Sequence, residues 1–331
     1  SPSTIIIEGK GKVTITGQEV GVNIVKSEGN ISGENIELIG KEMNGVSLGD
    51  GAEITINGTE SLDISAGWSG LYFSNSKGDI SSKVINIVGG SNGAYFENST
   101  EKTSIQGEDI TIIGKKYDGI YLDGSGSLDL KGVNTRIEGK INGIQLWNNG
   151  NSSKITIESD MISLSGETQD GILVEEEGSI VEIVGKNTFI SGYQNGIMAL
   201  ARGEVIINSD EVSIRSNSNQ SNQGNAIYTV DEGSVEITAN NTNIYSEYIG
   251  IHAQTGEIII NSSGKNEIKG EENGVYASAM TYTDSMNTEI GDIKISGKLN
   301  QISGKEGVTV VGGKIEINST EKTVILGEEY G

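Results

Sequence analysis

Few residues able to do acid–base or metal chemistry occur in this chain, and they do not form a catalytic set. His252 is the only histidine, which excludes a His-based triad and a multi-His metal site within the sequence. The three arginines, Arg136, Arg202 and Arg215, occupy unlike positions in their repeats and do not line up as one basic site. Glycoside hydrolysis needs two carboxylates at a defined separation, and no Asp-Asp pair occurs. We therefore expect no enzyme activity, with a polysaccharide lyase or hydrolase as the alternative.

Acidic residues in predicted turns are the other candidates for chemistry. They are Asp50, Asp123, residues 175–177, and Asp231 with Glu232. Calcium prefers oxygen ligands of this kind, but the sequence contains neither an EF-hand loop nor a Gly-Gly-x-Gly-x-Asp repeat. We interpret these carboxylates as solvated turn charges and expect no metal and no cofactor. A specific calcium site is the alternative.

A short motif returns about every two dozen residues and organises the whole chain. It is a small residue followed by apolar–any–apolar, as in Gly45-Val-Ser-Leu and Gly119-Ile-Tyr-Leu. Self-similarity at a nearly constant period is typical of repeat architectures. The twelve copies begin at Gly21, Gly45, Gly70, Gly93, Gly119, Gly143, Gly171, Gly196, Ala226, Gly250, Gly274 and Gly307.

Each repeat contains three short segments in which apolar and polar residues alternate. Gly51-Ala-Glu-Ile-Thr-Ile is a second segment, Leu62-Asp-Ile is a third, and turns rich in Asn, Gly, Ser and Asp separate them. Three strands per repeat predict an all-β fold, a right-handed parallel β-helix of about twelve coils with a core of stacked Ile, Leu and Val. No helix of useful length is predicted.

The repeats continue from one end to the other, which predicts a single β-helical domain over residues 1–331. We expect this domain to be a segment of a longer protein. Two long steps between repeats place insertions near residues 216–224 and 278–290. The second insertion contains Met280 and Tyr282, and loops that project from a rigid scaffold often carry recognition.

An Asn or Asp precedes the first residue of the motif in eight of the twelve repeats. Asx before Gly is typical of a tight bend with left-handed backbone, and stacked Asn amides form hydrogen-bonded ladders. Both interpretations are structural. The eight residues are Asn44, Asn92, Asp118, Asn142, Asp170, Asn195, Asn225 and Asn273.

The middle residue of each apolar–any–apolar segment is predicted to point outward, and this column is rich in aromatic residues. It consists of Asn23, Ser47, Tyr72, Tyr95, Tyr121, Gln145, Leu173, Met198, Tyr228, His252, Tyr276 and Thr309. Trp68 and Trp147 lie beside it. The column predicts either cross-strand stacking that stabilises the sheet or a contact platform for a protein or sugar rings. The predicted ligand-binding residues are Tyr72, Tyr95, Tyr121, Trp147, Tyr228, His252, Tyr276 and Tyr282.

The formal net charge is −23, from 46 acidic and 23 basic residues. A nucleic-acid surface needs clustered Lys and Arg, and this chain has no basic stripe, so no nucleic acid is expected as a partner. No apolar run is long enough to span a bilayer, so no direct membrane insertion is expected. Like charge also discourages self-association, and we expect a monomer.

The N/D-G-I-x-L motifs, their spacing and the cysteine-free composition rich in Ile, Ser, Asn and Gly resemble the passenger region of bacterial type V autotransporters. Among these, the chain is most similar to the large surface adhesins of fusobacterial-type Gram-negative anaerobes. The resemblance covers essentially the whole chain and implies export through the outer membrane and display at the cell surface. It implies a non-catalytic adhesin segment whose partner is a protein or glycan of a host or bacterial cell. A purely structural stalk is a further alternative.

Overall fold

The structure is an all-β solenoid. A computed structural model describes residues 3–147, 152–218, 224–281 and 288–330. Strands account for 77% of it and helices for none, and the strands form a parallel sheet wound into about 12 turns. The predicted parallel β-helix is therefore confirmed.

The chain forms two compact units, Ser1–Ser163 and Leu164–Gly331, and each is described by itself. The single domain predicted over residues 1–331 stays a prediction. The strands of the first unit are β1 (Thr4–Glu8), β2 (Lys12–Gly17), β3 (Val22–Val25), β4 (Glu28–Gly40), β5 (Val46–Gly49), β6 (Glu53–Ala66), β7 (Leu71–Ser74), β8 (Lys77–Ser81), β9 (Val84–Gly89), β10 (Ala94–Gln106), β11 (Asp109–Gly114), β12 (Ile120–Gly139) and β13 (Ile144–Trp147).

Strand β14 (Ser153–Gly166) holds the last residues of the first unit and the first residues of the second. The strands of the second unit are β15 (Ile172–Glu175), β16 (Ser179–Gly192), β17 (Asn195–Leu200), β18 (Glu204–Ser216), β19 (Asn225–Val230), β20 (Ser234–Ser246), β21 (Ile249–Ala253), β22 (Gly256–Ser262), β23 (Lys265–Gly270), β24 (Asn273–Thr281), β25 (Thr288–Val311) and β26 (Lys314–Tyr330).

The core of each unit is built by the alternation of apolar and polar residues. In β6, Ile54 and Ile56 are buried, while Thr55 between them is exposed. In the second unit, Ile207 of β18 lies opposite Ile183 of β16 and Ile237 of β20, and all three are 0% exposed. Full burial of one such side chain contributes roughly 1.5–3 kcal/mol, so stacked isoleucines hold successive coils in register.

The second and third segments of a coil run together as one strand in several coils, where the sequence predicts two. In β6 the residues between Gly58 and Ser61 outnumber those between Gly33 and Asn35 of its partner β4, and the register shifts there. An extra residue of this kind bends a strand without ending it, so the coil turns inside a continuous strand. The two segments are separate strands in β8 with β9, and in β22 with β23.

The glycines that open the motif are required by space and not by left-handed backbone. The prediction of left-handed backbone at the Asx-Gly pair is wrong: positive φ angles occur after the anchored strand instead, as at Asp50 (φ 55°) and Asn75 (φ 47°). A Cβ on Gly119 would lie 2.6 Å from the carbonyl oxygen of Gly143 and 2.6 Å from Cγ2 of Ile137. Adjacent coils approach too closely at this point to admit a side chain.

The two ends of the insertion near residues 278–290 pair with each other as antiparallel strands. Ala279 lies opposite Ile290 in an antiparallel pairing, whereas Tyr276 of the same strand lies opposite Thr309 in the solenoid. Tyr282 lies outside the described residues, as do residues 219–223 of the insertion near residues 216–224.

Gly119→Ala is expected to lower the free energy of unfolding by about 1–3 kcal/mol, because the added methyl group overpacks the contact between coils. Gly11→Ala is the matched control, since a Cβ there would meet no atom within 4 Å. It is expected to change the free energy of unfolding by less than about 0.5 kcal/mol. Urea unfolding followed by circular dichroism measures both values, and equal values for the two variants would contradict the steric explanation.

Candidate functional site

The predicted aromatic column is in register in the first unit. Tyr95 lies opposite Tyr72 on one side and Tyr121 on the other. The ring centroids of Tyr72 and Tyr95 are 5.4 Å apart, and those of Tyr95 and Tyr121 are 5.1 Å apart. Trp68 stacks on Tyr72 at 6.4 Å and is 41% exposed. These four residues, Trp68, Tyr72, Tyr95 and Tyr121, are the first aromatic cluster.

Two hydroxyl groups of this cluster are held by carboxylates of the neighbouring column. Tyr72 donates to Oε2 of Glu97 at 2.6 Å, and Tyr95 donates to Oδ2 of Asp123 at 3.4 Å. Burial and the hydrogen bond to Glu97 raise the pKa of Tyr72 to about 12, and burial with the charge of Asp123 raises the pKa of Tyr95. The hydroxyls therefore stay protonated as donors, and the rings are held in one orientation.

Trp147 belongs to the column beside the aromatic one. It ends β13, lies opposite Asp123 of β12 and is 46% exposed. Because alternate residues of a strand share a face, Trp147 lies on the same face as Gln145, the residue opposite Tyr121. It therefore extends the first cluster sideways.

In the second unit, three rings form a second aromatic cluster of Tyr228, His252 and Tyr276. His252 lies opposite Tyr228 and Tyr276, and its ring centroid is 4.9 Å from the first and 4.8 Å from the second. Leu173, two positions before Tyr228 in the column, is only 8% exposed. Its chain neighbours Ile172 and Val174 are buried in the core, so Leu173 lies on the opposite face of the strand and is covered there.

His252 is neutral at pH 7. Burial between the tyrosines lowers its pKa to about 4, and its Nε2 lies 3.5 Å from Oγ of Ser278. The hydroxyl of Tyr228 donates to Oε1 of Gln254. The second cluster thus offers rings and polar groups without a positive charge from histidine.

The predicted Asx ladder is present. In the first unit, the backbone N and side-chain Nδ2 of Asn142 donate to Oδ1 of Asp118 at 2.9 and 3.0 Å. In the second unit, Asn195 donates in the same way to Asp170 at 3.0 and 2.8 Å, and Asn225 donates to Oδ1 of Asn195 at 3.2 and 3.1 Å. Burial raises the pKa of Asp118 to about 6 and that of Asp170 to about 7.

This ladder stops at Asn225. The residue opposite Asn225 in the following coil is Ile249, which has no side-chain donor. Asn225 is 6% exposed, and its Oδ1 has no hydrogen-bond partner. A buried acceptor without a partner costs about 1–3 kcal/mol, so this oxygen is a position where a donor from outside the chain would be stabilising.

A groove of about 460 Å³ runs over the second cluster. We call it the aromatic groove. Its lining residues come from successive coils of the second unit and are Asn225, Tyr228, Tyr248, Ile249, His252, Gln254, Asn273, Tyr276, Ser278 and Glu306.

Glu306 is the one acidic residue of that lining, and none of the lining residues is Lys or Arg. Its Oε2 accepts from Nδ2 of Asn273 at 2.9 Å and from Oγ1 of Thr309 at 2.6 Å. The groove therefore combines a floor of aromatic rings with oxygen acceptors.

The acidic turns and the arginines singled out from the sequence are engaged with other side chains. Arg202 pairs with Glu177 and Glu232. Arg136 pairs with Glu138, and Arg215 lies 5.9 Å from the ring centroid of Phe189. Asp50 pairs with Lys26 at 3.6 Å. Within the described part of the chain, no group of three or more His, Asp or Glu residues is placed to hold a metal ion.

No protein-family model, curated protein or solved structure matches this chain. The resemblance to autotransporter passengers therefore stays a prediction that rests on the repeat motif. Across the described residues, no helix is long and apolar enough to cross a membrane.

Sequence reasoning found the rings of both clusters but missed part of the groove. Tyr248 and Gln254 lie at positions that the repeat motif does not mark, and Glu306 stands where Asn or Asp precedes the motif in most of the repeats. One signal was available: the Asx column is broken at Ile249, directly after Asn225 in the stack.

Asp170→Asn tests the buried carboxyl of the ladder. Because the pKa of Asp170 is raised to about 7 in the folded protein, the native state binds this proton more tightly than the unfolded chain does. The free energy of unfolding then falls as the pH rises from about 4 to about 7. The free energy of unfolding of the variant is expected to exceed that of the wild type by on the order of 4 kcal/mol at about pH 8 and to match it at about pH 4.

The control is Asp210→Asn, at an exposed carboxylate that accepts from Nδ2 of Asn240 at 3.0 Å. It is expected to follow the wild type across the same range. Urea unfolding at a series of pH values measures all three proteins. An advantage of Asp170→Asn that did not grow with pH would show that burial does not raise this pKa.

His252→Phe tests the neutral histidine. This residue makes the free energy of unfolding change with pH in the direction opposite to that of Asp170. Because the pKa is lowered from 6.5 to about 4, the unfolded chain binds this proton more tightly. The histidine therefore makes the free energy of unfolding fall by on the order of 2 kcal/mol as the pH drops from about 6.5 to about 4. The phenyl ring keeps the stack and removes this loss, so the difference between variant and wild type is expected to grow toward low pH. Tyr228→Phe, which keeps its ring, is expected to run parallel to the wild type, and a constant difference for His252→Phe would refute the lowered pKa.

Proposed function

We propose that this chain is a non-catalytic segment of a bacterial surface-displayed adhesin of the autotransporter kind. It attaches to a protein or glycan on host or bacterial cells through its outward aromatic residues. The observation that carries this proposal is the pair of aromatic clusters, whose neighbouring rings within each outward column lie 4.8–5.4 Å apart on adjacent coils.

The rigidity of these rings favours binding. Their backbone lies in hydrogen-bonded parallel strands, and the hydroxyls of Tyr72, Tyr95 and Tyr228 are already held by Glu97, Asp123 and Gln254. Aromatic anchors that are ordered before association lose little conformational entropy when a partner binds. Trp68 and Trp147 expose large aromatic surfaces beside the first cluster, and Trp and Tyr dominate the energetics of many interfaces.

The net negative charge of the chain disfavours partners that are themselves negatively charged. The net charge of −23 opposes approach of nucleic acid and of anionic membrane surfaces. Electropositive or neutral surfaces, such as a basic protein patch or an uncharged glycan, meet no such penalty. A cysteine-free chain also suits export through the outer membrane in an unfolded state, because no disulfide can form on the way.

A binding role without catalysis also agrees with the pairing of two of the arginines with carboxylates of the same chain. The carboxylates of Glu177 and Glu232 neutralise Arg202, and Arg136 is paired with Glu138. These ion pairs hold the charged side chains against their own turns and strands. The alternative without binding is a stalk that only spaces another part of the protein from the cell.

The test is binding of the purified chain to host and bacterial cells, compared with the triple variant Tyr72→Ser, Tyr121→Ser and Tyr228→Ser. The variant loses four ring pairs, each worth only about 0.2–1 kcal/mol of stability, and the isoleucine core is untouched, so it is expected to stay folded. Its cell binding is expected to weaken at least about tenfold, the effect of losing one binding hot spot. Flow cytometry with labelled protein measures binding, and the melting temperature confirms the fold.

Phe189→Ser provides the matched control. Phe189 is an aromatic residue that is more exposed (37%) than the three tyrosines, but it belongs to β16 and lies outside both clusters. It is expected to bind cells like the wild type. If the folded triple variant bound equally well, the clusters would be structural only, and a wild-type chain that bound no cell would be a stalk.

A further inference from the structure

We infer that the aromatic groove binds a neutral oligosaccharide, with Oδ1 of Asn225 accepting a hydrogen bond from a sugar hydroxyl and the rings of the second cluster forming the apolar floor. This inference rests on the proposed function, since it names the ligand class of one of the two clusters.

The unpartnered oxygen of Asn225 is the strongest observation. Its amide nitrogen is used, because Nδ2 donates to Oδ1 of Asn195 at 3.1 Å, so the free oxygen points along the stack toward the next coil. There the ladder would continue if an Asn followed, but Ile249 stands in that position. The backbone N of Ile249 donates to the carbonyl of Gly224 and not to Asn225. A ligand hydroxyl that reached this oxygen would supply the missing donor.

The floor of the groove suits a sugar ring. Tyr228, His252 and Tyr276 follow one another at 4.9 and 4.8 Å, with interplanar angles of 31° and 60°. Three coils at a strand spacing of about 4.8 Å give an apolar strip about 10 Å long. The C–H face of a pyranose packs on such rings, while its hydroxyls reach the polar groups at the margins.

Two of the polar lining groups, Oδ1 of Asn225 and the carboxylate of Glu306, are acceptors that favour a ligand rich in donors. Glu306 offers a carboxylate that Asn273 and Thr309 already orient, and Oδ1 of Asn225 has no donor at all. Sugar hydroxyls satisfy both, since each hydroxyl carries a proton to donate. Apolar ligands would leave these acceptors without partners at a cost of about 1–3 kcal/mol each.

Charge favours neutral over acidic sugars. The lining contains the carboxylate of Glu306 and neither Lys nor Arg. Because burial lowers the pKa of His252 to about 4, the imidazole adds no positive charge at neutral pH. A uronate, sialate or sulfate group would meet repulsion from Glu306 and find no cation in the lining.

Size favours a glycan over a protein. A volume of about 460 Å³ lies within the range of about 300–1,000 Å³ that is usual for sites of small molecules. A stable protein interface instead needs about 800 Å² on each partner. The groove fits a short oligosaccharide that lies across the coils.

The test uses an array of immobilised neutral, acidic and amino-bearing oligosaccharides, and titration calorimetry on the best neutral ligand. The informative variant is Ile249→Asn, because it places an amide donor opposite Asn225 and extends the protein's own ladder. It is expected to stay folded, with an unchanged or raised melting temperature, while affinity for the neutral ligand falls at least about tenfold. Tyr276→Ser removes one ring of the floor and is expected to weaken binding by a similar factor.

Val184→Asn is the matched control, since it puts the same amide at a 39% exposed position of β16 away from the groove. It is expected to bind like the wild type. Neutral-sugar binding that survives both Ile249→Asn and Tyr276→Ser would overturn the assignment of the groove. Exclusive binding of acidic or amino-bearing sugars would overturn the ligand class.

The cell-binding experiment separates this inference from the proposed function. If cells bind the wild type but no glycan on the array does, the partner is a protein and only the groove assignment fails. If neither cells nor glycans bind, both proposals fail.

Discussion

Residues at the same position of successive repeats are neighbours in this protein. Each coil of a unit lies against the next at the spacing of paired parallel strands, about 4.8 Å. The constraint is sterically tight at the glycines of the motif, where even a methyl group on Gly119 would collide with the carbonyl oxygen of Gly143. It is energetically strong in the core, where Ile183, Ile207 and Ile237 stack. A slip of one residue would turn such side chains outward, so the burial of each isoleucine opposes every alternative register.

Because residues of one column are stacked, a single residue that differs from its neighbours acquires unusual chemical properties. An Asp among Asn residues, as at Asp170, places a carboxyl group inside a buried ladder, where desolvation raises its pKa to about 7. A histidine between two tyrosines becomes a neutral ring, since burial lowers the pKa of His252 to about 4. An isoleucine in the Asx column, Ile249, leaves the oxygen of Asn225 without a donor. In each case one residue differs from its neighbours in the stack, and the regular surroundings determine what the difference does.

The ion pairs and the aromatic rings lie at different places on the outer surface of the coils. Turns after the anchored strands carry ion pairs such as Arg202 with Glu232, which neutralise charge within the protein. The aromatic column supplies rings held by their own hydrogen bonds, and in the second unit it borders a groove with acceptors but no basic residue. Under the proposed function, a solenoid of this kind would present its rings already ordered, and the net negative charge would favour neutral or basic partners.

The sequence by itself determined the solenoid, the residues that share a column and the order in which they meet. A period of about two dozen residues specifies that Tyr72, Tyr95 and Tyr121 are neighbours, and alternation specifies which side chains are buried. It could not locate the left-handed residues such as Asn75, which follow from where each coil must bend, and it predicted left-handed backbone at the wrong pair. Nor could it bring Gln254 to the groove or place Glu97 against the hydroxyl of Tyr72. Periodicity encodes contacts along a column, whereas contacts between columns depend on the turns, whose course only the tertiary structure decided.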